Sequence, residues 1–270
     1  MVLGASARGS DPLGEYHVDL SGLGYGHTSQ TDPGINFGEY ACGPTAAINS
    51  FFFLQNQYKF TTLGPGNGLL SEDNAAEAVN EIGSLMHLNE SGVTIQNFIT
   101  GKEEYLAQHG LGNRIGIEWQ SQYVGGIIPT WDWLYRQLKA KQDVEIAFSW
   151  MQLPPGGGGA ATGDGTAGGH MVTLTSFDFS DANANGFIDA DEATLDFMDP
   201  YGGTHLSASI TMDGPFMDIY YVGGGAMNGA WGQIHSAVAE SPIPEPSTYG
   251  LFGAVLLIIG VSVSRLRAKR

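Results

Sequence analysis

Cysteine is almost missing from this chain. Cys42 is the only one in 270 residues, so no internal disulfide can staple the fold. Cations are scarce as well: 11 Lys and Arg face 28 Asp and Glu, for a formal net charge of −17. Four of those cations crowd into residues 265–270, and the body before them carries seven against 28 anions. Such a body does not bind nucleic acid or an anionic membrane surface by charge. Long apolar runs are absent until residues 249–264, and no internal repeat is visible. The roughly 240 residues before the tail suffice for one substantial domain. Glycine, by contrast, is plentiful, 40 residues, and concentrates in 154–169. Gly163-Asp164-Gly165-Thr166-Ala167-Gly168 formally fits a dinucleotide fingerprint, but a strand follows where a helix should, so that reading fails. The stretch reads instead as a flap beside His170.

The single cysteine stands in Ala41-Cys42-Gly43-Pro44-Thr45. Pro44 has φ preset for a first helical turn, and no further Gly or Pro interrupts the run to Leu54. A helix starting here points its free N–H groups at the sulfur and favours thiolate over thiol. A nucleophilic Cys needs a histidine and an acid from elsewhere in the chain. His170 opens Met171-Val172-Thr173-Leu174-Thr175, a β-branched run that reads as a strand. Asp199 closes a second strand, Ala193-Thr194-Leu195-Asp196-Phe197-Met198, ended by Pro200. An antiparallel pairing that sets His170 opposite Asp199 centres its turn between Ala184 and Asn185. The carboxylate would fix the imidazole tautomer, and the imidazole would take the proton from Cys42.

The loop inside that ribbon, residues 181–192, matches the twelve-residue calcium pattern. Asp181, Asn183, Asn185 and Asp189 supply oxygens at positions 1, 3, 5 and 9, Gly186 stands at 6, Phe187 offers a carbonyl at 7, and Glu192 stands at 12. Hard Ca²⁺ needs six to eight oxygens about one point, and this spacing provides them. Both flanks read as strands, so the loop is an EF-like insertion with a structural role. Elsewhere residues 71–86, 95–109 and 131–141 read as helices and 144–150 as a strand.

Cys42-Gly43-Pro44-Thr45, Gly169-His170 and Asp199-Pro200, in this order, resemble the motifs of papain-like cysteine peptidases of the bacteriocin-processing, double-glycine leader type. The resemblance covers roughly residues 30 to 205. It implies an α+β papain-like fold over residues 8–240, with the nucleophile helix packed on an antiparallel sheet. The family carries a Gln about six residues before the nucleophile as an oxyanion donor, a group worth about 10²–10³ in rate. Here Asn36 stands at that position, and the nearest upstream Gln is Gln30. The resemblance implies a Cys42-His170-Asp199 triad cleaving a peptide or protein substrate, with Asn36 and the Cys42 N–H as oxyanion donors. Acyl or peptidyl transfer by the same triad, and a catalytically silent calcium-binding module of the matrix or cell surface, are the other two functions weighed.

Residues 241–270 have their own pattern: Pro244-Glu245-Pro246, an uncharged stretch over 249–264, then a basic tail over 265–270. This resembles the PEP-CTERM sorting signal, a module also found in some ice-binding proteins. It implies a C-terminal single transmembrane helix over 249–264. It also implies export by the Sec machinery from a Gram-negative-type bacterium and an inner-membrane precursor. An exosortase would then cut near the motif and release the body to the cell surface or matrix. Residues 1–7, ending Ala5-Ser6-Ala7, read as the remnant of a signal peptide.

Overall fold

The computed structural model describes residues 14–152, 168–185, 188–189, 191–222 and 229–243. The signal remnant, most of the glycine stretch, Phe187, the Pro244-Glu245-Pro246 motif and residues 249–270 lie outside them. In chain order the elements are β1 (Glu15–Asp19), α1 (Cys42–Tyr58), α2 (Ala75–Leu85) and α3 (Ile95–Gln108). There follow β2 (Ile115–Ser121), α4 (Trp131–Lys139), β3 (Asp143–Gln152), β4 (Gly169–Ser180) and β5 (Ala193–Asp199). The chain then runs through β6 (Thr204–Asp213), β7 (Phe216–Val222) and β8 (Trp231–Pro242). Helix α2 begins later than its pattern suggests because residues 72–74 form a 3₁₀ turn, capped reciprocally by Ser71 and Asn74.

The sheet is entirely antiparallel and closes on itself. Its order β4-β3-β8-β7-β6-β5 returns to β4 through the β4–β5 pairing, giving a six-stranded barrel. β1 is added on β4 and β2 on β8. This corrects the expected papain-like arrangement of a nucleophile helix on an open antiparallel sheet. Closure comes from β6, β7 and β8, which pair with one another and back to β3, leaving none of the six barrel strands as an edge. The expected transmembrane helix is also without support: no helix among the described residues is long and apolar enough to cross a membrane, and residues 249–264 fall outside them.

α1 packs against β3 and β4 on one side and α2 and α3 on another. Every residue from Gly43 to Leu54 is therefore buried, and the helix is apolar nearly all round. Truncating Phe51 or Phe53 to Ala in this layer would cost about 3–5 kcal/mol. Polar pins fix its position. Thr173 Oγ1 on β4 donates to the Ala46 carbonyl at 2.8 Å. Asn49, fully buried, clamps the segment at Thr28 by bonds of 2.9 and 3.1 Å. Two residues on, the Gln30 N–H donates to the Pro200 carbonyl at 2.6 Å, so the helix, the loop before it and the turn after β5 form one unit.

Candidate active site

That unit carries three groups to one place. Cys42 is the first residue of α1, and no side chain caps the helix, so its N-terminal N–H groups stay available to the sulfur. Cys42 as a residue is partly exposed. It hydrogen-bonds His170 and receives the backbone N–H groups of Gly43 and Met171. His170 opens β4, and its Nε2 lies 2.9 Å from Asp199 Oδ1 at the end of β5. With Nε2 committed to the carboxylate, Nδ1 is the nitrogen left to face the sulfur. Asp199 Oδ1 also accepts the Tyr201 N–H at 2.8 Å, and Oδ2 accepts the Tyr221 hydroxyl at 3.4 Å. Trp150 stacks on the imidazole at 5.9 Å and Phe148 meets it edge-on at 5.7 Å, which fixes the ring plane.

The β4–β5 register explains how the pair meets. Thr173 lies opposite Met198, so the residue abreast of Asp199 is Val172 and not His170. The expected register is off by two. An even slip keeps each side chain on its face, and His170 reaches Asp199 along the diagonal. A bulge between Leu174 and Ser176 moves the register one further residue toward the turn.

The electrostatics favour an ion pair. Burial pushes the Cys42 thiol up, but the hydrogen bond and charge of His170 and the two backbone N–H groups outweigh it and lower its pKa. Burial pulls His170 down, yet Asp199 and the sulfur raise it to about 10. Burial likewise pushes Asp199 up, and the His170 charge with the Tyr201 N–H brings it below the ordinary value. The three shifts all favour the charged forms, thiolate, imidazolium and carboxylate.

The structure does not bring Asn36 into this group. It is exposed, and its backbone N–H is tied to Asn80 Oδ1 on α2 at 2.8 Å. The upstream amide that the fold buries is Gln30, whose Nε2 donates to the Gly38 carbonyl at 2.8 Å. The intervening segment carries an extra turn at Gly38–Tyr40, which sequence spacing alone does not show.

At the far end of the β4–β5 ribbon, the described residues of the 181–192 loop gather their polar atoms. Asp189 Oδ2 accepts the amide groups of Asn183 and Asn185 at 2.9 and 2.7 Å. Glu192 Oε1 accepts the Asn183 N–H at 3.0 Å, and Asp181 Oδ1 the Asn185 N–H at 2.9 Å. Buried Ile188 docks the loop on β6, its carbonyl accepting the Met212 N–H at 3.3 Å.

A second acidic group went unread in the sequence. Asp143 and Glu145 on β3 and Glu240 on β8 are fully buried, with ligand oxygens within 4.8 Å of one another, so the cluster could hold a metal ion. The cation among them here is Lys102 of α3, whose ammonium lies 2.6 Å from Glu145 and contacts Glu240. Ser50 of α1 donates to Asp143. The signal available was four charged residues in strands or helix faces otherwise apolar. No protein-family model matches the chain, and no curated protein matches it.

Proposed function

We propose that the protein is a cysteine peptidase that cleaves peptide bonds through Cys42, His170 and Asp199. The observation that supports this reading is the single imidazole held between a helix-terminal thiol and a buried carboxylate, with Cys42 lowered and His170 raised. The Cys42 thiolate attacks the substrate carbonyl carbon. As the tetrahedral intermediate collapses, the C–N bond breaks and His170 gives its proton to the leaving amine. His170 then takes a proton from water, whose oxygen displaces the Cys42 sulfur and releases the acid. Asp199 holds the ring orientation throughout. The N–H groups at the start of α1 face the developing oxyanion.

The finer metal assignment belongs to the same reading. Asp181, Asn183, Asn185, Asp189 and Glu192 stand in a Ca²⁺ sequence pattern and are linked to one another by hydrogen bonds within the loop, and the ion would fasten the ribbon that carries both His170 and Asp199. The Pro244-Glu245-Pro246 motif supports export and exosortase processing of the same chain. The deciding experiment is active-site titration with an epoxide or iodoacetamide probe, read by peptide mapping alongside peptide hydrolysis. Stoichiometric labelling of Cys42 that abolishes hydrolysis supports the reading. Labelling without any turnover would leave a silent module.

A further inference from the structure

The described cations lie away from the Cys42 end of α1. Its 17 residues span about 25 Å at 1.5 Å per residue. At the end away from Cys42 lie Lys59, Arg114 over the Phe60 ring at 5.1 Å, and Lys141, whose carbonyl accepts the Tyr58 hydroxyl. The other described cations are Lys102, sealed in its cluster, and Arg136 and Lys139 on α4. None of the described Lys or Arg residues belongs to the segments that form the Cys42 end. That end instead carries Asp32 and Glu39, both exposed and neither in an ion pair among the described residues. Their loop is joined to the turn after Asp199 by the Gln30–Pro200 bond.

The same rim is apolar between its charges. Tyr40 stands two residues before Cys42, and Tyr201 two residues after Asp199, whose carboxylate its N–H binds; they are 41% and 58% exposed. Phe37, 48% exposed, is held at φ 53°, a conformation costly for an aromatic residue and kept where surrounding structure enforces it. Single exposed apolar side chains are ordinary, but Phe37, Tyr40 and Tyr201 all lie on the two loops that lead to Cys42 and away from Asp199.

Resting on the peptidase reading above, we infer that the substrate is a cationic peptide segment with aromatic or aliphatic side chains, cut internally. Asp32 and Glu39 attract basic residues, Tyr40 and Tyr201 receive the apolar side chains, and no Lys or Arg waits at the described rim for a terminal carboxylate. The test uses enzyme counted by Cys42 titration and three fluorogenic peptides that share an aromatic core and differ only in flanking Lys, Gln or Glu. The expected order of kcat/KM is Lys, then Gln, then Glu, with about tenfold or more between the extremes at low salt, shrinking in 0.5 M NaCl as screening shortens to about 4 Å. Glu39→Lys should narrow the ratio, and Tyr201→Ala should raise KM for the aromatic core while kcat holds. Equal cleavage of the Lys and Glu peptides by fully titrated enzyme overturns this inference and leaves the peptidase reading intact. Failure of Cys42 to label overturns both.

Discussion

The triad at the start of α1 and the sealed cluster around Lys102 are both buried networks of acids with one base, and both join α1 to the barrel, one through Cys42 and the other through Ser50. They end in opposite states of protonation. In the triad the acid is lowered and the base raised. In the cluster burial and mutual repulsion push Asp143 up to about 7 and Glu145 and Glu240 up to about 8, against the pull of Lys102. Burial is common to both, so burial does not decide. The triad matches its charges in sequence and adds backbone N–H donors. The cluster sets three carboxylates against one ammonium and leaves Asp143 Oδ1 and Glu145 Oε2 without a hydrogen bond. A buried network ionises where each charge is met, and holds protons where it is not.

Separate substitutions should pull the two regions apart. His170→Ala should lower turnover about 10²–10⁴-fold, the usual share of a general acid–base. Lys102→Met, remote from the thiol, should act on stability instead, costing about 3–5 kcal/mol because it strands buried charge. Urea unfolding and turnover measured on both variants check this, and an equal turnover loss in Lys102→Met would erase the distinction.

The pH dependence sharpens the same contrast. Carboxyls raised in the folded state still hold protons that the unfolded chain has released above about pH 4, so stability should fall as pH climbs from there to about 8. His170 adds to the decline: its contribution is complete below its ordinary value of 6.5 and is lost as pH rises through about 10. Asp199 runs the other way, stabilising above its ordinary value of 3.8 and losing that contribution as pH falls through its lowered value. Melting temperatures should therefore drop between pH 5 and 9, less steeply in Glu240→Gln; a flat series in the parent protein would speak against protonated cluster acids.

Calcium should act next in size. Binding to the native state alone contributes about 2.7 kcal/mol at a hundredfold excess over Kd. Chelator should lower the melting temperature and turnover together, as should Asp181→Ala or Glu192→Ala. Identical melting curves in calcium and chelator would reduce the loop to a polar turn. The smallest effect is expected at Asn36: Asn36→Ala, on the surface, should stay within about 0.5 kcal/mol in stability and leave turnover unchanged. A hundredfold rate loss would return Asn36 to the oxyanion site.

Local chemistry was legible in the sequence where it depended on neighbours in the chain. Pro44 and the unbroken run after it announced α1, and Asp-Pro announced the end of β5. Closure of the barrel was not legible from the segment that carries the motifs, because it is made by β6, β7 and β8, from residue 204 onward. Their alternation was present, as in Leu206, Ala208, Ile210 and Met212 of β6, but no motif drew attention to it. The register of His170 against Asp199 missed by two because the pair was placed directly opposite, whereas it meets along the diagonal, and neither that nor the one-residue bulge after Leu174 leaves a mark in composition. Lys102 and its three acids were unreadable for another reason: their partners lie on α1, α3, β3 and β8, and only tertiary packing brings those elements together.

The central claim, that His170 and the helix terminus hold Cys42 as a thiolate, is tested most directly by the rate of Cys42 alkylation against pH, in the parent protein and in His170→Ala. The account predicts reactivity that persists well below the free-thiol value of about 8.5, a second change toward pH 10 as His170 loses its proton, and loss of the low-pH reactivity in the variant. A single inflection near 8.5, the same in both proteins, would contradict it.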